Sequence, residues 1–167
     1  MGWWSHDILG GDWPLDVLGD IHDTLCSIAH LKEEYIPEDG AYYGYNFKPF
    51  EKILSSDDEI NTLMSRCRYS FSNEEDHISY QVLGLAIMST GYKMPEKFKK
   101  LVIEHSEKDE YIDLYPERKV VITNFIKAVR SYKPGNPVIV SQKGLFQSIK
   151  EHTQNGGTGL VNKNYYK

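Results

Sequence analysis

The chain has 167 residues, 40% of them hydrophobic and 26% charged, and its formal net charge is −5. This size and composition predict one soluble domain with its own core. No apolar run reaches the roughly 18 residues that a membrane span needs, and the first residues lack the pattern of a secretory signal peptide. The only cysteines are Cys26 and Cys67, too few for a disulfide framework, so we expect reduced thiols and a cytoplasmic protein.

Charge is distributed unevenly along the chain. Residues 1–116 carry 22 acidic and 10 basic side chains, whereas residues 117–167 carry 2 acidic and 9 basic ones. Such a split predicts either an anionic partner for the basic part or electrostatic pairing of the two parts. Pairing within one chain and pairing between chains both fit. In a homodimer, residues 119–133 and 143–167 would face acids such as Asp16, Asp20 and Asp23.

The first 16 residues are the most distinctive stretch, since they combine three tryptophans, a Gly-Gly pair and a proline. Burial of one tryptophan contributes about 2–3 kcal/mol, so apolar side chains here should be anchored on the domain. The pair at residues 10–11 predicts a turn that a side chain would obstruct. Asp12 is predicted to cap the next helix, with Pro14 in its first turn. The side chains expected to be anchored are Trp3, Trp4 and Ile8.

This start reads Met-Gly-x-Trp-Ser, then Ile-Leu-Gly-Gly-Asp, then Pro-Leu-Asp at the entry to a helix. It resembles a group of small uncharacterised proteins of bacteria and their phages. An apolar central helix with a glycine, here residues 82–88, and a Tyr-Pro-Glu-Arg-Lys segment, here residues 115–119, are also typical of that group. The resemblance is specific over residues 1–20 and loose up to residue 133. It implies a mostly helical cytosolic protein, located in the host cytoplasm if a phage encodes it, of the kind with which phages disarm host defences. It brings no catalytic residues.

Hydrophobic spacing predicts a mainly α protein: a single irregular domain of five to six helices with an ordered Trp-rich N-terminus and little or no sheet. The domain should cover residues 1–152, followed by a polar glycine-rich tail at 153–167. A capping box at residues 72–75 should open the most apolar helix, where Gly84 fits a closely packed neighbour, and Gly91 should end it. Residues 138–140 are β-prone. The predicted helices are residues 14–32, 55–69, 73–90, 96–108, 116–132 and 142–152.

Candidate metal ligands lie on the first helix. His22, Cys26 and His30 follow one another at four-residue spacing, and imidazole plus thiolate suits zinc. Because the outer two lie about 12 Å apart along a helix axis, a two-ligand site helped by His6 or Asp7 is easier to build. Cys26 as a small core residue, and Asp16, Asp20 and Asp23 as a solvated face, are the alternatives.

Catalytic motifs are not found: there is no Gly-x-Ser-x-Gly, Cys-x-x-Cys or His-Glu-x-x-His pattern. Gly156-Gly157-Thr158-Gly159 lacks the Gly-Lys-Ser/Thr ending of a phosphate-binding loop. A hydrolytic metal centre built from His6, Asp7, Asp12, His22 and Asp23 remains one alternative. We therefore expect no cofactor and a protein that is more a binder than an enzyme.

Aromatic residues crowd residues 33–50, between glycines and prolines. This segment is predicted either to close over the core or to form a partner- or base-stacking surface, since tyrosine gives contact area at modest entropic cost. The first function hypothesis is a non-catalytic inhibitor of bacterial or phage origin that occupies a host protein. The second is a protein that sequesters an anionic nucleotide, with rings stacking on bases and cations neutralising phosphates. The candidate binding residues are Trp3, Trp4, Tyr42, Tyr43, Tyr45, Phe47, Lys127, Arg130, Lys133 and Lys143.

Overall fold

The fold is mainly helical, as predicted. The computed structural model describes residues 5–31, 45–67, 69–71 and 76–138. Within those ranges there is no β-sheet, and five of the helices have ten or more residues. A 3-10 turn at Lys48–Phe50 leads into the second helix. The helices are α1 (Asp12–Ala29), α2 (Glu51–Leu54), α3 (Asp57–Arg66), α4 (His77–Thr90), α5 (Glu96–Glu107), α6 (Tyr111–Leu114) and α7 (Pro116–Ser131).

Helix α4 is the centre of the fold, because it packs against both α1 and α5, and α5 in turn packs against α7. Residues 81–88 are buried without interruption. A Cβ atom at Gly84 would lie 3.0 Å from Cγ1 of Val102 and 3.7 Å from Cζ of Phe125. The predicted reason for a glycine here is confirmed, since α5 and α7 approach the α4 backbone at this point. Gly91, at φ 78°, ends the helix as expected.

The N-terminal turn also agrees in part with its prediction. Ile8 is buried, and a Cβ atom at Gly10 would lie 2.4 Å from the carbonyl oxygen of Ser5. The prediction that Asp12 caps α1 is wrong: Gly11 occupies the N-cap and Asp12 is the first helical residue. A negative charge in the first turn still favours the helix through its dipole. Helix α1 ends at Ala29, three residues earlier than predicted, because His30 adopts a left-handed conformation at φ 54°.

Helices α3 and α4 are shorter than predicted. Helix α3 covers Asp57–Arg66 of the predicted range 55–69. Helix α4 begins at His77, with Asp76 as its N-cap, so the expected start at residue 73 is wrong, and the capping box lies outside the described residues. Helix α7 buries Val121, Ile122, Phe125 and Val129, whereas Val120 is 46% exposed.

Val138, the first residue of the β-prone run, forms no strand. Its N–H donates to the carbonyl oxygen of Met88 at 2.8 Å.

Among the helices that the structure describes, none combines the length and the apolar content to cross a bilayer.

Several predictions concern residues outside the described ranges and stay predictions. They concern Trp3, Trp4, Tyr42, Tyr43, Lys143, the helix at 142–152 and the tail at 153–167.

Candidate binding site

A buried arginine organises one end of helix α7. Arg118 is 2% exposed, and each of its five N–H groups has an acceptor. Nε donates to Oδ2 of Asp109 at 3.1 Å, and Nη2 donates to the same oxygen and to Oε1 of Gln81, both at 2.8 Å. Nη1 donates to the carbonyl oxygens of His6 and Asp7, both at 3.0 Å. One guanidinium thus fastens the N-terminal segment, α4 and the segment between α5 and α6 to α7.

Asp109 is the matching anion of this buried network. Its side chain accepts from Nε2 of Gln81 at 2.9 Å, besides the two bonds from Arg118. Its Oδ1 accepts from the N–H of Tyr111 at 3.0 Å and lies 3.6 Å from Nε2 of His77. A buried ion pair must have its remaining donors and acceptors satisfied to offset the cost of desolvation. Arg118 and Asp109 meet that requirement, so we assign this pair a positioning role.

Arg118, Asp109 and Gln81 were missing from the sequence-based candidates, although the sequence holds a signal for one of them. Arg118 lies three, seven and eleven residues before Val121, Phe125 and Val129, which are buried positions of the same helix. A charged residue at such a stripe position must find a partner in the core. Asp109 is not identifiable in this way, because it lies in a connection with no periodicity.

A cavity of about 300 Å³ opens beside the buried arginine, lined by Ser5, His6, Tyr111, Tyr115 and Arg118. The rings of His6 and Tyr115 have centroids 5.2 Å apart, and those of Tyr111 and Tyr115 are stacked at 6.4 Å. Because every N–H of Arg118 already has an acceptor, what the cavity presents to a ligand is mainly ring faces and polar ring atoms.

Exposed apolar side chains lie close in sequence to the residues that line this cavity. Leu114 is 65% exposed, Tyr115 45% and Val120 46%. They are three of the five exposed large hydrophobic residues in the described part of the chain, and all three fall within seven residues of sequence. We call Leu114, Tyr115 and Val120, together with the cavity, the aromatic end of α7.

The candidate metal ligands on α1 do not converge. His22 is buried among rings, with centroid distances of 4.9 Å to Tyr45 and 5.6 Å to Phe47, and Sγ of Cys26 lies 3.8 Å from its Nδ1. His30 is exposed beyond the helix end. Across the residues that the structure describes, no group of three or more His, Cys, Asp or Glu side chains could hold a metal ion. His6 lies at the aromatic end, so the predicted hydrolytic set is not assembled either.

The two cysteines are core residues. Neither forms a disulfide, and both are buried. The pKa of the Cys67 thiol is raised to about 11, mainly by burial; a side-chain hydrogen bond with Thr24 opposes this increase and the negative charge of Asp20 adds to it. Since the thiolate is the reactive form, Cys67 should be inert near neutral pH.

We call residues 33–50 the aromatic loop. Two of the predicted stacking rings lie in the part of this loop that the structure describes. Phe47 is 2% exposed and belongs to the core, so it is not available to a partner. Tyr45 is half-buried against His22. For these residues the alternative of a loop closing over the core is the one that the structure favours.

The predicted cations of α7 lie at its other end. Lys127, Arg130 and Lys133 are all exposed there. The hydroxyl of Tyr132 donates to the carbonyl oxygen of Tyr92 at 2.5 Å, and the hydroxyl of Tyr92 donates to the carbonyl oxygen of Lys48. These bonds join the end of the aromatic loop to the C-terminus of α7, which brings two of the predicted binding segments together.

Comparison with known proteins adds no relative. No protein-family model, no curated protein and no solved structure matches this chain. The candidate site therefore rests on its own geometry: a small ring-lined cavity, with exposed apolar neighbours, at the aromatic end of α7.

Proposed function

We propose that the chain is a non-catalytic binding protein that occupies a protein partner, and that the aromatic end of α7 is its recognition surface. The observation that carries this proposal is the cavity of about 300 Å³ together with the exposed side chains of Leu114, Tyr115 and Val120. Binding energy at protein interfaces is concentrated in a few aromatic or apolar anchors that fill such pockets.

The size of the cavity favours a partner's side chain as its occupant. About 300 Å³ is at the lower end of the range for sites that enclose a whole small molecule. A side chain that enters it would meet the rings of His6, Tyr111 and Tyr115. The buried Arg118–Asp109 pair holds the backbone of the N-terminal segment against α7 and thus keeps the walls of the cavity in place.

The biological role that fits is that of an inhibitor, bacterial or phage-encoded, that acts on a host protein. The resemblance of residues 1–20 to small proteins of bacteria and their phages supports that role. A protein that acts by occupying its partner needs a preorganised surface rather than reacting groups, because preorganisation reduces the entropic cost of association.

The test is affinity capture of host protein by the full chain and by variants at the aromatic end. The double variant Leu114→Ser/Tyr115→Ala removes the exposed anchors. Tyr69→Ala is the matched control, because Tyr69 is 86% exposed and lies between α3 and α4. We expect the wild type and the control to retain a stoichiometric partner and the double variant to lose it. Capture that is equal for all three, or no stoichiometric partner from several bacterial hosts, would contradict the proposal.

A second candidate function, sequestration of an anionic nucleotide, is favoured by the tyrosine hydroxyls that join Lys48 to the C-terminus of α7. A nucleotide at 100 times its Kd stabilises a protein by about 2.7 kcal/mol, or roughly 5–10 °C in Tm for a chain of this size. Thermal-shift measurements with mono- and cyclic nucleotides test it, with Lys133→Gln as the variant and Lys119→Gln as the control. No stabilisation by any nucleotide would remove this candidate.

A further inference from the structure

Two segments that lie apart in the sequence are both basic. The charge count of residues 1–116 as a whole conceals the first of them. Residues 91–100 hold four lysines and one glutamate, inside the part of the chain that is acidic overall. Residues 127–138 hold two lysines, one arginine and no acid. The fold brings these two segments together.

Two hydrogen bonds show this meeting. The N–H of Gly135 donates to the carbonyl oxygen of Gly91 at 2.8 Å, and Nζ of Lys99 donates to the carbonyl oxygen of Arg130 at 3.3 Å. Lys48 joins from the aromatic loop through its contact with Tyr92. We call the resulting surface the basic end. All its members are exposed except Lys99, which is half-buried. They are Lys48, Lys93, Lys97, Lys99, Lys100, Lys127, Arg130 and Lys133.

Acidic side chains neutralise little of this surface. Arg130 pairs with Glu107 at 3.2 Å, and both side chains are more than half exposed. Glu96 lies in the first turn of α5 and Glu51 in that of α2. The sequence beyond the described residues is also positively charged. Residues 139–167 hold four lysines and one glutamate, and they follow directly on Val138, whose N–H donates to the carbonyl oxygen of Met88.

We propose that the basic end binds the phosphodiester backbone of a nucleic acid, through charge and without reading the base sequence. Seven of its eight cations are lysines, which are strongly hydrated point charges. Against carboxylates of a protein surface, each exposed pair would contribute only about 0–1 kcal/mol. Against a nucleic acid the same lysines release condensed counterions, and that release supplies most of non-specific affinity.

The apolar surface of the chain argues for the same occupant. A protein partner, or a second copy of this chain, needs apolar anchors at the contact. The exposed large hydrophobic residues of the described ranges all lie elsewhere: Leu31, Tyr69, Leu114, Tyr115 and Val120. The basic end is therefore suited to a polyanion, and this inference does not depend on the protein partner proposed for the aromatic end.

The experiment measures binding of the full chain to a labelled 20-nucleotide single strand and to a 20-base-pair duplex by fluorescence anisotropy, from 50 to 200 mM salt. If about four phosphates are contacted, affinity for the duplex falls about 150-fold over that range. The test variant is Lys100→Gln/Lys127→Gln. The control is Lys108→Gln/Lys119→Gln, which removes the same two charges from the same two helical regions at their opposite ends, where both lysines are also exposed.

We expect the test variant to lose at least about tenfold in affinity at 50 mM salt and the slope of log affinity against log salt to become shallower by about 2, with the control near the wild type. Equal losses in both variants would assign binding to overall charge and overturn the proposal. So would the absence of wild-type binding at 50 mM salt, or binding to poly-glutamate or a mononucleotide without binding to either oligonucleotide. Salt-sensitive dimerisation without nucleic-acid binding, seen by light scattering, would assign the basic end to the acidic side chains of a second copy.

Discussion

The two ends of helix α7 carry the same kind of residue in opposite settings. The helix has 16 residues and is therefore about 24 Å long. Near its start, Arg118 is buried and uses all five N–H groups inside the protein. Near its end, Arg130 is 60% exposed and makes one side-chain ion pair, with Glu107, which is 54% exposed.

This difference separates two ways in which a charge serves a small protein. A buried cation with every donor satisfied holds backbone segments in register, and here it supports the aromatic end. Exposed cations at the basic end add little to the stability of the fold and are available to a partner. Variants at the two ends of α7, compared with one another or with the wild type, should show this difference.

The largest difference is expected for the two arginines. Arg118→Met should reduce the free energy of unfolding by about 3–5 kcal/mol, because it leaves the Asp109 carboxylate buried without its cation. Arg130→Met should reduce it by no more than about 1 kcal/mol, as is usual for an exposed pair. Urea unfolding followed by circular dichroism measures both. Similar losses in the two variants would show that burial does not distinguish these arginines.

A smaller difference is expected for the two tyrosines that flank α7. Tyr132→Phe removes the donor to the carbonyl oxygen of Tyr92 and should cost about 1 kcal/mol. Tyr115→Phe, at the aromatic end, should change stability by less than about 0.5 kcal/mol. Thermal unfolding at pH 7 compares the two variants.

Tyr132 also makes the stability of the fold sensitive to alkali. Burial raises the pKa of Tyr132 to about 12 and also raises the pKa of Tyr92. Each hydroxyl stays protonated to a higher pH in the folded chain than in the unfolded chain. Its contribution to stability is therefore present below pH 10 and is lost as the pH rises toward 12. The Tm of Tyr132→Phe should therefore fall less steeply between pH 9 and pH 11 than that of the wild type. An unchanged slope would contradict this assignment.

The smallest expected effect is a loss of stability in acid that depends on His105, in the last turn of α5. Burial lowers the pKa of His105, and the charge of Lys108 lowers it further; His77, next to Asp109, acts in the same direction. A histidine whose pKa is lowered by folding contributes stability above about pH 6.5 and loses it as the pH falls below that value. His105 stacks on Tyr80 with ring centroids 3.8 Å apart, and His105→Phe keeps a ring there without the titration. The Tm of this variant should fall less than that of the wild type between pH 7 and pH 5.

The long helices could be predicted from the sequence, because they depend on local chemistry. Spacing of apolar residues identified all five of them, and Gly91 ended α4 for the reason expected. Several other helix ends were displaced from their predictions. At the start of α1 two neighbouring residues, Gly11 and Asp12, compete for one role, and the end of α1 follows from the left-handed conformation of His30.

The site could not be predicted in the same way, because its members are distant in the chain. Arg118 meets His6 and Asp7 across more than 110 residues, and Gln81 across 37. Counting charge along the sequence placed Lys93, Lys97, Lys99 and Lys100 in an acidic region. Only the packing of α5 on α7 set them beside Lys127 and Lys133. The periodicity of a helix shows which of its faces is buried. Which neighbour covers that face, and which charges that neighbour carries, depends on how whole helices pack around a shared core.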